Sequence, residues 1–324
     1  MIGYIYKRLL FTITMLIGIT FITYLTIFLA PGGPAAGIMQ DLNPKVSAEY
    51  KQKLVEHFHF DKPAHVQYFL WVKRLIKLDL GESYKDNQPV LKKIASRLPR
   101  TLLLTTSALL LTFLLAVPLG IIGALKQNTF WDRAITAFVF VGFSIPAYWV
   151  ALLLMIGFGI HLGWLPITGF RSILADEMTW YQQVWDILRH LMLPVIVTSL
   201  TGLAGLSRYM RTGMLEVIQQ DYIRTARAKG LPENRVIFVH ALRNTMIPLI
   251  TMLGFALPEL ISAGVIFETI FSYPGLGRLA YEAAMSRDTF LIMPTVTLAA
   301  LLTLLGNLVA DVCYAYADPR IRYK

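Results

Sequence analysis

The 324-residue sequence has few charged residues and almost no cysteine. Charged side chains make up 15% of the chain, whereas about 25% is usual for a soluble domain. The single cysteine, Cys313, excludes an internal disulfide and a cysteine-based metal site. The six histidines include no pair at the i, i+3 or i+4 spacing that places two ligands on one helix face. We therefore assign no metal site to this sequence.

A phosphate-binding loop for nucleotides is also missing. No Gly-x-x-x-x-Gly-Lys-Ser/Thr motif occurs, and glycine never directly precedes lysine in the sequence. No nucleophile–base pair or metal cluster of the kind that an enzyme needs is evident either. We therefore expect no catalytic site, and any nucleotide chemistry in the protein's function must come from another chain.

Hydrophobic residues, in contrast, make up 56% of the sequence and are gathered into long runs. A helix that crosses a bilayer needs about 20 consecutive apolar residues, because its backbone polar groups must be satisfied within the helix. The fourth run is short and contains Pro194, and the fifth contains one carboxylate, Glu259. The sequence predicts an all-α polytopic membrane protein with six transmembrane helices, at residues 9–30, 101–125, 134–160, 191–207, 244–267 and 289–310.

The first run has two interpretations. Lys7 and Arg8 precede it, as basic residues precede the apolar core of a secretory signal peptide. The run is longer than the roughly 7–15 apolar residues of such peptides. Residues 1–30 are therefore predicted to form a retained N-terminal transmembrane helix.

The distribution of lysine and arginine predicts how the helices are oriented. With the N-terminus in the cytoplasm, the segments on that side contain fourteen of the thirty basic residues, and the two short loops on the other side contain four. Basic residues in short loops favour the cytoplasmic side. Both termini are therefore expected in the cytoplasm. The net charge of +10 is attributed to this bias and to anionic lipid, not to nucleic-acid binding.

Residues 31–100 form a long extracytoplasmic insertion after the first predicted span, and residues 101–324 are the predicted five-helix core. Segments 47–59 and 66–78 of the insertion have apolar residues at helical spacing, and the second alternates them with lysine and arginine. Two interpretations remain open. These helices lie on the bundle or in the membrane interface, with Trp71 as an anchor, or they form a ledge for a soluble partner.

Residues 216–248 interrupt the apolar pattern with a polar and basic segment. An apolar stripe through Ile218, Tyr222 and Ala226 predicts one helix. Gly230 suits the position after a helix end, and Pro232 suits the first turn of a second helix. The segment is therefore predicted to fold as helix, tight glycine turn and helix.

The second helix of this segment is predicted to place Val236, Val239 and Leu242 on one face. Small side chains beside cationic ones describe a knob that enters a groove on another protein, with Arg227 and Lys229 available to acidic groups. A DNA-binding helix-turn-helix has similar spacing, but the flanking spans argue against it. A purely structural loop is the alternative that stays open.

The segment resembles the cytoplasmic coupling loop of bacterial ABC-transporter permeases, in particular the dipeptide and oligopeptide branch. The general loop reads Glu-Ala-Ala, three residues, Gly, nine residues and Ile-x-Leu-Pro. In this chain Arg224-Thr225-Ala226 takes the first three positions, Gly230 and Leu242 match, and His240 and Arg243 replace the isoleucine and proline. Further motifs of this branch lie in order along the chain, at residues 60–63, 67–68, 79–81, 268–277 and 307–320.

The resemblance implies a type I ABC importer permease fold with a cytoplasmic coupling-helix loop. It also implies the membrane-spanning subunit of an ATP-driven importer of peptides or similar small solutes in a prokaryotic inner membrane. Such a permease pairs with a second homologous permease, with two cytoplasmic ATPases that bind the ATP, and with an extracytoplasmic solute-binding protein. The resemblance assigns the coupling role to Arg224, Thr225, Ala226, Arg227, Ala228, Lys229, Gly230 and Leu231.

Glu259 supports an alternative function. A charge in the middle of a span costs a few kcal/mol on insertion scales, so this carboxyl is expected to face the bundle interior or a water-filled path. It either lines the translocation pathway or forms a helix–helix contact. An ion-coupled secondary transporter with Glu259 as its proton site is therefore the alternative to an ABC permease. Glu268 and Asp288, near the outer ends of their spans, are predicted to be interfacial.

Overall fold

A computed structural model describes residues 2–41, 47–57, 59–246, 249 and 264–317. These residues are mostly helical, and the only extended pairing among them is an isolated antiparallel bridge between Glu82 and Pro89. The predicted all-α class is therefore confirmed. Most of the predicted fifth span, with Glu259 and Pro248, lies outside the described residues, as do residues 318–320 of the C-terminal motif.

Four helices of the described part are long and apolar enough to cross a membrane, and a bent pair provides a fifth crossing if it is counted as one. The bent pair corresponds to the predicted third span and consists of α6 (Phe130–Ser144) and α7 (Ala147–Leu154), which meet at 94°. A π-helix, Met155–His161, continues α7. The four long helices are α1 (Ile2–Leu29), α5 (Val90–Leu125), α8 (Trp180–Ile218) and α13 (Thr289–Ala317).

A proline causes the break in the third span. Pro146 precedes the first residue of α7, and the proline ring disfavours the helical region for the residue before it. Ile145 accordingly has φ −81° and ψ 129°, an extended conformation. The apolar run over residues 134–160 predicted one continuous transmembrane helix, without the bend that the structure contains.

The remaining helices are short. The insertion contains α2 (Ala36–Asp41), α3 (Ala48–His57) and α4 (Ala64–Ile76). Beyond α8 the chain forms α9 (Asp221–Ala228) and α10 (Glu233–Arg235), and α10 continues as a π-helix, Val236–Ala241. After the residues that are not described come α11 (Gly264–Ile270) and α12 (Leu276–Met285).

Helices α5 and α8 pack side by side in parallel and form the centre of the bundle. The Thr112 hydroxyl donates to the Ser199 carbonyl at 3.0 Å, and about two to three turns further along both helices Gly120 faces Met210. A Cβ at Gly120 would lie 2.6 Å from the Met210 Cβ, so only glycine fits at this crossing. The near-constant sequence offset between these pairs shows that the two helices run in the same direction.

Two predicted boundaries differ from the helices observed. α8 extends well beyond the predicted fourth span at residues 191–207, because its polar and aromatic ends continue the helix outside the apolar stretch. α5 begins at Val90, so the predicted domain boundary at residue 100 falls inside a continuous helix that includes Pro99. In both cases the apolar run predicted only the part of the helix that is suited to lipid, and the observed helix is longer.

Candidate functional site

The polar interruption after α8 folds as two helices joined by a glycine turn. α9 ends at Ala228, Gly230 has φ +73°, and Pro232 precedes the first residue of α10. A residue with φ near +70° is left-handed, a conformation that costs other residues about 1–2 kcal/mol. The predicted helix–turn–helix is therefore confirmed. We call residues 221–246 the loop knob.

The loop knob stands on a buried apolar base. Ile223 is fully buried and Ala226 nearly so, and both belong to one cluster with Met210 and Met214 of α8. The cluster also includes Ile121 and Ala124 from the end of α5. The knob is thus packed against the ends of both central helices, so displacing it moves those helices as well.

The faces of both knob helices differ from the prediction. Ile223 replaces Tyr222 on the buried side of α9, and Tyr222 remains 44% exposed. In the second helix Val236, Ile237 and Ala241 are buried, while Val239 is 49% exposed. In the second helix the cause is the π-helix, in which bonds run from i to i+5, so that residues five apart share a face. In α9 the cause is the helix break after Ile218, where α8 ends, so that Ile218 and Ala226 belong to different helices. The prediction assumed a regular α-helical period.

Polar contacts join the two knob helices across the glycine turn. The Arg227 guanidinium donates to both carboxylate oxygens of Glu233, from Nη2 at 2.6 Å and from Nε at 3.2 Å. This hydrogen bonding lowers the pKa of Glu233 and raises that of Arg227. The Asn244 amide donates to the Tyr222 hydroxyl at 3.1 Å. Two separate polar contacts therefore hold the two knob helices together around the turn.

The outward surface of the knob is small and basic. Of the eight residues predicted to couple, six are exposed: Arg224, Thr225, Arg227, Ala228, Lys229 and Gly230. Leu231 is half-buried against the apolar cluster, and Ala226 is buried within it. These two residues hold the surface in place from below. Arg224 lies beside Asp221 of its own helix, with Nη1 3.5 Å from the carboxylate.

An ion pair connects the base of the knob to the bent third span. Arg211 of α8 donates from Nε and Nη2 to the two carboxylate oxygens of Asp132 in α6, both at 2.8 Å. Asp132 is buried and also accepts the Asn128 backbone N–H at 3.0 Å. A Cβ at Gly123 would lie 3.2 Å from the Arg211 Cδ, so a glycine leaves room for this arginine. The pair ties α6 to the helix that carries the knob.

The opposite end of the bundle is held by a buried carboxylate that the sequence placed at the membrane interface. Glu268 is fully buried and accepts hydrogen bonds from the Thr101 hydroxyl at 2.7 Å and the Arg278 backbone N–H at 2.9 Å. Thr101 in turn accepts the Leu276 N–H at 2.7 Å. A Cβ at Gly275 would lie 2.1 Å from Glu268 Oε1. Glu268 therefore joins α5, α11 and the start of α12.

Asp288, also predicted to be interfacial, is buried as well. It accepts the Ser83 hydroxyl at 2.7 Å and the Leu291 N–H at 3.2 Å, so it caps α13 and binds the insertion to it. Both carboxylates are thus buried inside the protein, and their depth at the membrane interface stays a prediction. Their positions in the sequence could have indicated this role, because each carboxylate precedes a turn or helix start whose free N–H groups need an acceptor.

The other predicted features add little to this site. Glu259 lies outside the described residues. Within the part of the chain that the structure covers, no three histidine, cysteine or carboxylate side chains are close enough to hold a metal ion.

Comparison with known proteins assigns the chain to a family. Residues 116–323 match the family described as "Binding-protein-dependent transport system inner membrane component", and residues 1–105 match the corresponding N-terminal family. The chain belongs to this family of inner-membrane transport components. It is therefore a multi-pass permease subunit of an ABC importer, which lacks an ATPase site of its own, and not the ion-coupled transporter considered as the alternative.

Curated relatives match over the full length of the chain. It is 39% identical over 324 residues to the oligopeptide transport system permease protein AppB of Bacillus subtilis (strain 168), with 100% of both chains covered. It is 36% identical over 339 residues to the di/tripeptide transport system permease protein DppB of Pseudomonas aeruginosa (strain UCBPP-PA14), again with 100% of both covered.

A solved structure shares the fold. The MetNI methionine ABC transporter in an inward-facing conformation matches with a TM-score of 0.56 at 16% identity. The match covers 71% of this chain and 99% of that one. At this identity the likeness establishes the architecture of an ABC importer permease and nothing about the solute.

Proposed function

We propose that the loop knob lies in the cytoplasm and is the surface through which an ATPase subunit moves this permease. We call the exposed residues Arg224, Ala228 and Lys229 the crest of the knob. The observation that carries the proposal is that this basic crest stands on an apolar base packed against α5 and α8. A flexible loop would absorb a displacement, whereas this one is closed by Arg227–Glu233 and anchored by Ile223. The crest at Arg224, Ala228 and Lys229 enters a groove with acidic groups on the ATPase.

The proposed assembly contains two permeases, two cytoplasmic ATPases and one extracytoplasmic solute-binding protein. The family description supports the binding protein, because it names a binding-protein-dependent system. Both termini lie on the cytoplasmic side with the knob, as the distribution of basic residues predicts. ATP is bound by the ATPases, and closure of their dimer pulls the two knobs together, so that the spans switch access from one side to the other.

The proposed cargo is a short peptide. Relatives that match the whole chain are named for oligopeptides and for di- and tripeptides, and their names support this class of solute. The permease then forms half of the pathway and the soluble receptor selects among peptides. Uptake of labelled di- and oligopeptides by membrane vesicles that contain the complete importer tests the class.

Substitution of Gly230 tests the docking role. A Cβ at this position meets no atom within 4 Å, so any effect comes from the left-handed backbone and not from a clash. Gly230→Val is expected to open the turn and to reduce ATPase retention on purification by about ten-fold, since a β-branched residue avoids φ +73°. Gly230→Asn is the matched control, because asparagine tolerates this conformation. Full ATPase retention and transport by Gly230→Val would refute the proposal.

A further inference from the structure

Helix α4 of the insertion lies beside the first transmembrane helix, and not above it. The Gln67 side chain accepts the Tyr24 hydroxyl at 2.6 Å, and the hydroxyls of Tyr68 and Thr20 are 2.9 Å apart. The Tyr68 hydroxyl also donates to the Ile17 carbonyl at 3.2 Å. Ile17 precedes the end of α1 at Leu29 by twelve residues, or about 18 Å of helix. Part of α4 is therefore at the depth of the membrane.

Exposed apolar and cationic residues share a face of α4 that does not pack on α1. Phe69 and Ile76 are 69% and 78% exposed, and they are seven positions apart, so they share one face. Lys73 lies midway between them in sequence and is exposed. Lys77 follows one turn after Lys73 at the helix end, and Leu78 beside it is 77% exposed. Apolar side chains that flank lysines in this way are typical of a helix in the membrane interface.

The two lysines also line an open cleft of about 750 Å³ between α4 and residues 81–89. The neighbouring Arg74 is already paired with Asp79 at 2.9 Å. Glu82 also lines the cleft. Neither Lys73 nor Lys77 forms an ion pair with Glu82 or with any other carboxylate in the described ranges. The two lysines are thus left to a ligand in this cleft.

We propose that Lys73 and Lys77 bind the phosphate of an anionic phospholipid whose acyl chains lie along Phe69, Ile76 and α1. Lipid is favoured over an acidic soluble protein because α4 lies beside the transmembrane helix α1, where acyl chains can cover the exposed Phe69 and Ile76. An 18-residue apolar stretch of the neighbouring α1 is only 11% buried, so it offers further apolar surface to acyl chains. The site would hold the insertion at a fixed height on the bundle.

Lipid binding to the full-length protein, purified with its co-expressed partner subunits, tests this proposal. The probes are phosphatidylglycerol and phosphatidylcholine, and bound lipid is counted by native mass spectrometry. Wild type is expected to prefer phosphatidylglycerol. Lys73→Gln with Lys77→Gln should weaken phosphatidylglycerol binding about 25-fold, roughly five-fold for each lysine near an anionic headgroup, and leave phosphatidylcholine binding unchanged.

Two variants control for charge and position. Lys73→Arg with Lys77→Arg keeps both charges and should keep the preference, and Lys53→Gln in the exposed part of α3 should change nothing. An unchanged preference in the double glutamine variant would overturn the proposal, and so would an equal loss in Lys53→Gln. If lipid binding is unchanged but a purified solute-binding protein binds less tightly, the face is a protein-docking surface and the lipid assignment is wrong.

Discussion

The loop knob and the opposite end of the bundle are stabilised by different forces. At the knob, apolar side chains from α5, α8 and α9 form most of the base, and the charges of the knob itself remain on the outside. At the opposite end, the buried carboxylates Glu268 and Asp288 form the central contacts. Apolar packing is non-directional and tolerates a rigid displacement, whereas a buried carboxylate needs every donor in place. The knob is thus suited to moving with its helices, and the opposite end to keeping one geometry.

We call the end of the bundle opposite the knob the fixed end. The largest expected effect comes from removing Glu268, its central hydrogen-bond acceptor. Glu268→Ala leaves the Thr101 hydroxyl and the Arg278 N–H without their acceptor in a buried site. We expect a loss of about 4 kcal/mol, which is in the range for breaking a buried charged network. Thermal unfolding of the purified protein in detergent measures it. Glu282→Gln in the half-buried Arg278 pair is the control and should cost far less; equal losses would remove the distinction between the two kinds of contact.

A smaller loss is expected at the knob. Ile223→Ala removes a fully buried side chain from the apolar base and should cost about 3 kcal/mol through the cavity that it leaves. Because no charge is involved, the loss should be the same at low and high salt. The exposed Val239→Ala in the second knob helix is the control, with an expected change below about 0.5 kcal/mol. A salt-dependent loss for Ile223→Ala would contradict the apolar description of this end.

The smallest effect is a difference in pH dependence. Burial raises the pKa of Asp288 above its ordinary value of 3.8, although the Ser83 hydroxyl and the nearby Lys93 oppose the shift. An acid with a raised pKa stabilises the folded state fully below 3.8, and this contribution is lost as the pH rises through the raised pKa. The fixed end should therefore gain stability on mild acidification, by at most about 1.4 kcal/mol per pH unit.

Asp288→Asn should flatten this part of the curve of melting temperature against pH. The knob should respond in the opposite direction. Arg227 lowers the pKa of Glu233, so that stabilisation is present above 4.5 and is lost as the pH falls through the lowered value. This pair is largely exposed, so the effect is expected to be slight. A wild-type curve that Asp288→Asn leaves unchanged would contradict the assigned role of Asp288.

Sequence patterns predicted the long helices well because lipid imposes a simple requirement on them. A run of about 20 apolar residues can satisfy its backbone only as a helix, and the runs at residues 9–30, 101–125 and 289–310 are all single helices. The glycine turn at Gly230 was predicted for an equally local reason, since glycine tolerates positive φ. Both predictions depend on a residue's own neighbours along the chain.

Features that depend on distant residues were not predictable in the same way. The π-helix at Val236–Ala241 changes which residues are buried, and the local sequence pattern does not predict it. The burial of Glu268 was not predictable because its donors, Thr101 and Arg278, come from other elements. The Arg211–Asp132 pair joins residues 79 positions apart, and only the fold brings them together. Which side of the membrane the knob occupies was predicted from charge alone and stays a prediction.

Labelling of a single cysteine on the knob tests the central claim most directly. Cys313 is the only cysteine of the sequence, so Cys313→Ser with Ala228→Cys leaves one thiol, on the exposed crest. A membrane-impermeant maleimide is expected to label it in inverted vesicles and not in right-side-out vesicles, and bound ATPase subunits should block the reaction. Labelling in right-side-out vesicles would contradict the cytoplasmic position of the knob. Labelling that is equally strong with and without bound ATPase subunits would contradict its docking role.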